Sequence, residues 1–272
     1  MNIYDEIING SVNKPILIDV HEPIEKIKSI IIFSHGFKGF KDWGTFNKMA
    51  SFFADKGYVF VKFNFSFNGT SIESPENFVD LEAFANNNFT IELDDLGLVI
   101  DWVRIRYNNL AISLLGHSRG GAISILKSSE DSRITSLITW SSPSDLLKRL
   151  SKNNRLKQWK KDGVVYIFNS RTHQNMPMNY QFYEDCLNNS KRLSMQNALK
   201  SISIPHLIVH GDEDSTVSVD EAKEMKQLNN NVSIKIIRGA DHVFNSYHPF
   251  IKSKMPKNLQ SAIDETILFL KS

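Results

Sequence analysis

The sequence predicts an α/β architecture in which a mostly parallel central sheet carries helices on both faces and an inserted cap subdomain. Three observations point there. Short continuous apolar runs, rich in β-branched and aromatic residues, read as strands buried on both faces. Between them lie stretches whose apolar residues recur at helical spacing, and such alternation builds parallel sheets. One interval, 143–204, breaks the rhythm and is too long for an ordinary connection.

Taken in order, Ile16–Val20 is expected as an antiparallel strand at the sheet edge, and Ser29–Ser34 as the first buried parallel strand. Asn47–Asp55 is expected as a helix and Tyr58–Phe65 as a strand. The clearest helix carries Leu96, Val99, Ile100, Val103 and Tyr107 on one stripe, with Asp94 and Asp95 read as facing solvent or the helix N-terminus. Ala111–Leu115, Ile134–Trp140, His206–Val209 and Val232–Ile237 complete the strands. Gly121–Lys127, Val219–Leu228 and Leu259–Leu270 complete the helices. The domain organisation expected is a core of 1–142 and 205–272 with a cap of 143–204. The cap holds a basic amphipathic piece (Leu146–Lys161), a strand (Val164–Phe168) and a polar-aromatic stretch from Arg171 to Leu187.

Composition narrows the function classes. The 272 residues are 41% hydrophobic and 23% charged, ordinary for a globular protein and unlike a disordered one. Lys+Arg 32 against Asp+Glu 30 leaves +2, too balanced for nucleic-acid binding to be the default. Lys157, Lys160 and Lys161 around Trp159 therefore read as a solvated cap helix. A single cysteine, Cys186, excludes an internal disulfide framework and a Cys-rich zinc site. Met1–Gly10 is interrupted by Asp5 and Glu6 and lacks a signal peptide's apolar stretch, and no window approaches a membrane span. The expectation is a cytoplasmic protein with no membrane or nucleic-acid partner and no metal or cofactor. No H-E-x-x-H, Walker A loop or G-x-G-x-x-G occurs.

Three stretches carry chemistry. Gly116-His117-Ser118-Arg119-Gly120 follows a strand and precedes a helix, the context in which G-x-S-x-G makes a sharp turn with an exposed serine hydroxyl. A hydroxyl needs a base to take its proton. Of eight histidines, His242, in the loop after Val232–Ile237, is expected over the same sheet edge as Ser118, with His248 its near competitor. A carboxylate should orient that imidazole. His210-Gly211-Asp212-Glu213-Asp214 offers three acids, of which Asp214, after the turn, is best placed and Asp212 is read as a loop brace. Donors for a developing oxyanion are expected from the backbone N–H of Arg119 and of Phe37, the latter in the turn His35-Gly36-Phe37-Lys38-Gly39. His35 itself is read as a brace of that loop.

Together the His-Gly loop, the Gly116–Gly120 elbow, the Asp214 turn and the His242 loop resemble the α/β-hydrolase superfamily, whose chain order is serine, acid, histidine. The resemblance spans the chain outside 143–204. Within the superfamily the sequence is most similar to small bacterial carboxylesterases that include cinnamoyl and feruloyl esterases. These share His-Gly-Phe after the third strand, Gly-His-Ser-x-Gly-Gly at the elbow, and a cap before the acid-bearing strand. Lys38, Lys41 and Arg119 depart from that pattern: the lysines crowd the oxyanion loop, and Arg119 stands where such esterases often carry Gln or Met.

The function expected is therefore cleavage of small-molecule carboxylic esters through an acyl-enzyme, with Ser118 as nucleophile, His242 as base and Asp214 as orienting acid. An aminopeptidase-like or acyl-peptide hydrolase is the second reading, and a binding protein that kept the fold without the chemistry is the third. Trp159, Tyr166 and Met178, among cap residues that include Phe168, Met176, Tyr180 and Phe182, are expected either at a substrate pocket or in the cap's own core. Motif order leaves the oligomeric state open, a homodimer included.

Overall fold

A computed structural model describes residues 1–150 and 155–272. Its centre is an eight-stranded sheet built from β1 (Asn2–Asn9), β2 (Pro15–Glu22), β3 (Ser29–Ser34), β4 (Tyr58–Asn64), β5 (Ile112–His117), β6 (Ile134–Trp140), β9 (His206–Gly211) and β10 (Val232–Ile237). The spatial order is β1-β2-β4-β3-β5-β6-β9-β10. From β4 to β10 all pairings are parallel, whereas β2 runs antiparallel to both β1 and β4. β7 (Val164–Asn169) and β8 (Gln174–Asn179) form a separate antiparallel ribbon.

The buried parallel strands follow from their composition. β4 and β5 are buried at every position, as residues covered by helices on both faces must be. On one face lie α1 (Phe46–Asp55) and α10 (Lys257–Leu270), which pack Met49, Phe53, Ala262 and Ile263 against Phe33, Phe60 and Trp140. The other face carries α3 (Phe89–Arg106), α4 (Arg119–Glu130), α8 (Met195–Ser201) and α9 (Val219–Leu228). The expected stripe on α3 is buried, and each such side chain contributes roughly 1.5–3 kcal/mol. Asn88 starts this helix by accepting the Ile91 N–H at 2.9 Å. The remaining helices are α2 (Leu81–Asn86), α5 (Leu147–Leu150), α6 (Arg155–Asp162) and α7 (Gln181–Asn188). The basic piece expected at Leu146–Lys161 is described as α5 and α6, with 151–154 outside the described residues.

Three expectations need correcting. The segment at Ile16–Val20 is not the sheet edge, because β1 pairs along its whole length and takes that place. β8 is a strand inside the stretch expected only as polar-aromatic, Arg171 to Leu187. Asp95 does not face solvent: it is fully buried and accepts the Ser66 N–H at 2.8 Å, the Ser66 hydroxyl at 2.7 Å and the Ser11 N–H at 3.1 Å. That carboxylate ties the loop after β4 to the β1–β2 turn. Asp94 does reach the surface and pairs with Arg192 at 2.8 Å. Among the described residues no helix is long and apolar enough to cross a membrane.

Register brings the carboxyl ends of the central strands level. Ser34 of β3 stands opposite Gly116 of β5, His117 opposite Trp140 of β6, Trp140 opposite Val209 of β9, and Gly211 opposite Ile237 of β10. The loops that leave these ends share one edge of the sheet, where open α/β folds gather their ligand-handling groups.

Candidate active site

Ser118 occupies the turn between β5 and α4 with φ 55° and ψ −123°, a conformation that costs a non-glycine residue about 1–3 kcal/mol. Close packing holds it there. A Cβ at Gly116 would lie 2.2 Å from the Gly120 carbonyl oxygen, and one at Gly120 would lie 2.2 Å from that of Ser34, so only glycine fits at either place. The Ser118 N–H is anchored to the Trp140 carbonyl at 2.8 Å. The hydroxyl therefore projects from a fixed backbone at the head of α4.

The Ser118 hydroxyl donates to His242 Nε2 at 3.0 Å, and His242 Nδ1–H donates to Asp214 Oδ2 at 2.8 Å. Residues 124 and 28 positions apart thus form one hydrogen-bonded chain. Its acid is set by the turn after β9, where Asp214 Oδ1 accepts the N–H groups of Thr216 at 2.8 Å and Val217 at 2.9 Å. Burial alone would raise the Asp214 carboxyl, but hydrogen bonds from His210, His242 and the Val217 N–H hold it well below the usual carboxylate range. Asp212 braces the neighbouring loop by accepting the Gly239 N–H at 2.7 Å.

Two histidines with no local signal to mark them, His117 and His210, support this chain. His117 Nε2–H donates to the His242 carbonyl at 2.8 Å, which fixes the loop bearing the imidazole. Burial, with His242 beside it, pushes the His117 imidazole down to about 3, so it stays neutral. His210 Nε2–H donates to the Val217 carbonyl at 2.9 Å and lies 3.3 Å from Asp214 Oδ2, backing the acid from behind. His35 bonds the Gly36 carbonyl at 2.9 Å, and its burial lowers it to about 4. His248 is held elsewhere, accepting the Gly44 N–H at 2.9 Å and stacking on Trp43.

The amides of Phe37 and Arg119 flank Ser118 and donate to no acceptor among the described residues. Gly36 brings the first of these loops close, since a Cβ there would stand 3.0 Å from the Ser118 Cβ. A cavity of about 140 Å³ opens on Ser118, lined by Phe37, Lys38, Trp43, Phe46, His242 and Val243 among others. A larger hollow of about 990 Å³ opens away from this edge, between β2, α1 and α10. Among the described residues no cluster of His, Cys, Asp or Glu stands at metal-binding spacing.

No family model matches the chain, and no curated protein matches it. Solved structures do. Est1E from Butyrivibrio proteoclasticus superposes with a TM-score of 0.73 at 14% identity, over 98% of this chain and 98% of that one. The esterase domain of a Rhodothermus marinus protein gives 0.68 at 16% identity, over 100% and 99%. An α/β serine hydrolase homologue from Coxiella burnetii gives 0.62 at 20% identity, over 99% and 96%. The chain has the α/β-hydrolase fold.

On this α/β-hydrolase fold Trp159, Tyr166 and Met178, expected at a pocket or in a local core, lie away from the Ser118 cavity. Trp159 and Met178 are buried and bonded to each other, Trp159 Nε1–H donating to the Met178 carbonyl at 2.9 Å. Tyr166 points to solvent at 62% exposure. None of the three lines the Ser118 cavity, because the apolar stripes of α6, α7 and β8 are spent on packing against the core. The Lys41 side chain also turns away from the Gly36–Gly39 loop, to Asp19 at 2.8 Å and to Asp42. Lys38 stays at the cavity, with its Nζ on the Phe168 carbonyl at 3.2 Å. The Arg119 side chain folds back from the cavity to pair with Glu92 of α3 at 3.2 Å, beneath the rings of Phe37, Phe89 and Phe182.

Proposed function

We propose that this protein is a serine hydrolase that cleaves carboxylic esters through an acyl-enzyme. The observation that carries the reading is the unbroken chain from the Ser118 hydroxyl through His242 to the ionised Asp214, standing on a strained turn at a helix N-terminus. Ser118 Oγ attacks the acyl carbon as its proton passes to His242 Nε2. The N–H groups of Phe37 and Arg119 receive the oxyanion of the tetrahedral intermediate. His242 then returns the proton to the departing alcohol, and the ester becomes an acyl group on Ser118. A water molecule, losing its proton to the same Nε2, attacks that acyl group and releases the acid. Asp214 keeps the imidazole in the tautomer that this sequence requires and stabilises its positive form.

The esterases among the similar structures support the ester reading, as does the small cavity at Ser118, which suits short acyl chains. The cap, proposed as 143–204, would lie across the mouth of that cavity through the β7–β8 ribbon, while α8 at its end packs on α4.

Ser118→Ala should lose turnover of p-nitrophenyl acetate and butyrate by about a thousandfold or more while keeping the wild-type unfolding transition. A fluorophosphonate probe should label Ser118 in the folded wild type. Activity of the variant within a few-fold of wild type, or no labelling, rejects the assignment. Anilide turnover matching ester turnover would move the reading to an acyl-peptide hydrolase.

A further inference from the structure

The turn joining β7 to β8 carries a cluster that packing does not explain. Arg171 and Lys38 are both partly buried, and among the described residues no carboxylate forms an ion pair with either. Each is pushed below its usual range: Lys38 by burial and then by the charge of Arg171, Arg171 by burial alone. Three buried donor groups here have no acceptor: Asn169 Nδ2, Thr172 Oγ1 and the Nη2 of Arg171 itself. Asn169 is only 4% exposed, and its other amide atom is committed to the Arg171 N–H at 3.2 Å. Folded proteins seldom bury a donor unsatisfied, and here three fall within four residues, one of them on Arg171 itself.

Of this cluster Lys38 lines the Ser118 cavity, whereas Arg171 meets the cavity wall through aromatic contacts. Lys38 also holds the ribbon by its bond to the Phe168 carbonyl. The Arg171 guanidinium lies over the rings of Phe40 at 5.1 Å and Phe78 at 5.4 Å. Phe40 in turn packs against His248, which stacks on Trp43 in the cavity wall. These aromatic faces orient the guanidinium and shield it without neutralising it.

We propose that the acyl pocket is built for an ester whose acyl chain ends in an ionised carboxylate, received by Arg171 with Lys38, Asn169 and Thr172. The idea rests on the serine-hydrolase reading and gives it a substrate class, half-esters of short dicarboxylic acids. A carboxylate supplies the acceptors that the three donors lack, and a guanidinium fork meets its two oxygens side by side. Hydrolysis would release the free dicarboxylate and the alcohol.

The test compares monomethyl glutarate with methyl pentanoate, of similar chain length but neutral, in a pH-stat assay. Wild type should favour the anionic ester by about tenfold or more in kcat/KM, the scale of one charge-assisted contact. In Arg171→Gln that preference should fall by a similar factor through KM, and Arg171→Lys should recover part of it. Glutarate should inhibit methyl pentanoate turnover competitively, and pentanamide should not, so the idea is tested even where Arg171→Gln fails to fold. Equal handling of the two esters by wild type, with turnover still dependent on Ser118, overturns the carboxylate site and leaves the hydrolase. Absence of turnover for both esters together with no fluorophosphonate labelling overturns the hydrolase and the carboxylate site with it.

Discussion

The guanidinium of Arg119 lies 4.0 Å from the ring centroid of Phe37, so the two residues whose amides flank Ser118 hold each other through their side chains. Glu92, buried on α3, accepts from Arg119 and from the Asn87 amide at 2.7 Å, which fixes the arginine from the other side.

Arg119→Met should therefore be costly for stability, by about 3–5 kcal/mol, because it leaves a buried carboxylate without its cation. Burial already raises the Glu92 carboxyl, and Arg119 restrains that rise. Without Arg119 the folded state holds the Glu92 proton to higher pH than the unfolded chain does, so the deficit should widen as pH increases from 5 to 8. Urea unfolding at both pH values measures this, and adding Glu92→Gln should remove the pH dependence. A deficit that stays level with pH would show that Glu92 is not the group exposed by the change.

Asp214→Asn should keep the fold but lower kcat on short esters by about a thousandfold or more, since an amide can hold the wrong tautomer of His242. KM should change little, because Asp214 is not among the cavity's lining residues. Steady-state kinetics separates the two, and a loss confined to KM would argue against an orienting role.

Gly116→Ala should destabilise by about 3 kcal/mol or more, since its methyl would press on the Gly120 carbonyl, which no side-chain rotation relieves. Differential scanning calorimetry gives the shift. The same substitution at the open position Gly163, with no atom within 4 Å of the added carbon, serves as the contrast, where only its φ of 73° opposes alanine.

Acid should weaken the fold through Lys41, Lys62, Asp19 and Asp42, four charges under β2 and β4 in which each lysine touches both carboxylates. Burial would raise the Asp42 carboxyl, but Lys62 and Lys41 outweigh it and bring it from 3.8 to about 2. A folded value below the unfolded one means stability present above about pH 4 and lost as pH falls towards 2, roughly 2 kcal/mol from this group. Lys62→Met should begin about 3 kcal/mol less stable at pH 7 and lose less over that acid window. Urea midpoints at pH 7, 4 and 2.5 measure both, and equal acid losses in variant and wild type would show the network to be inert.

Much of this was legible in the residues. Ser29–Ser34, Ile134–Trp140 and Val219–Leu228 fall where their apolar patterns put them, because burial on both faces of a strand, or one face of a helix, leaves a local signature. Ser118, Asp214 and His242 were readable for a related reason: each follows the carboxyl end of a strand, and parallel strands end on one edge. What escaped depends on distant partners. β1 has an exposed edge with Asp5 and Glu6 inside it, and is a strand only because β2 pairs with it. β8 contains Pro177, tolerated because the strand pairs on one side only. Asp95 looks like any polar helix residue until Ser66 and Ser11 arrive from elsewhere in the chain. Glu92 and Arg171 likewise show their surroundings only after folding.

The ribbon of β7 and β8 has a consequence for how this protein could change. Its backbone ladder is its own, independent of the eight-stranded sheet whose loops present Ser118, Asp214 and His242. If Arg171 receives the substrate as proposed, mutational drift at 169–173 would retune which molecules are admitted while Ser118, Asp214 and His242 stay untouched. Directed evolution of new selectivity would do well to randomise that tip first.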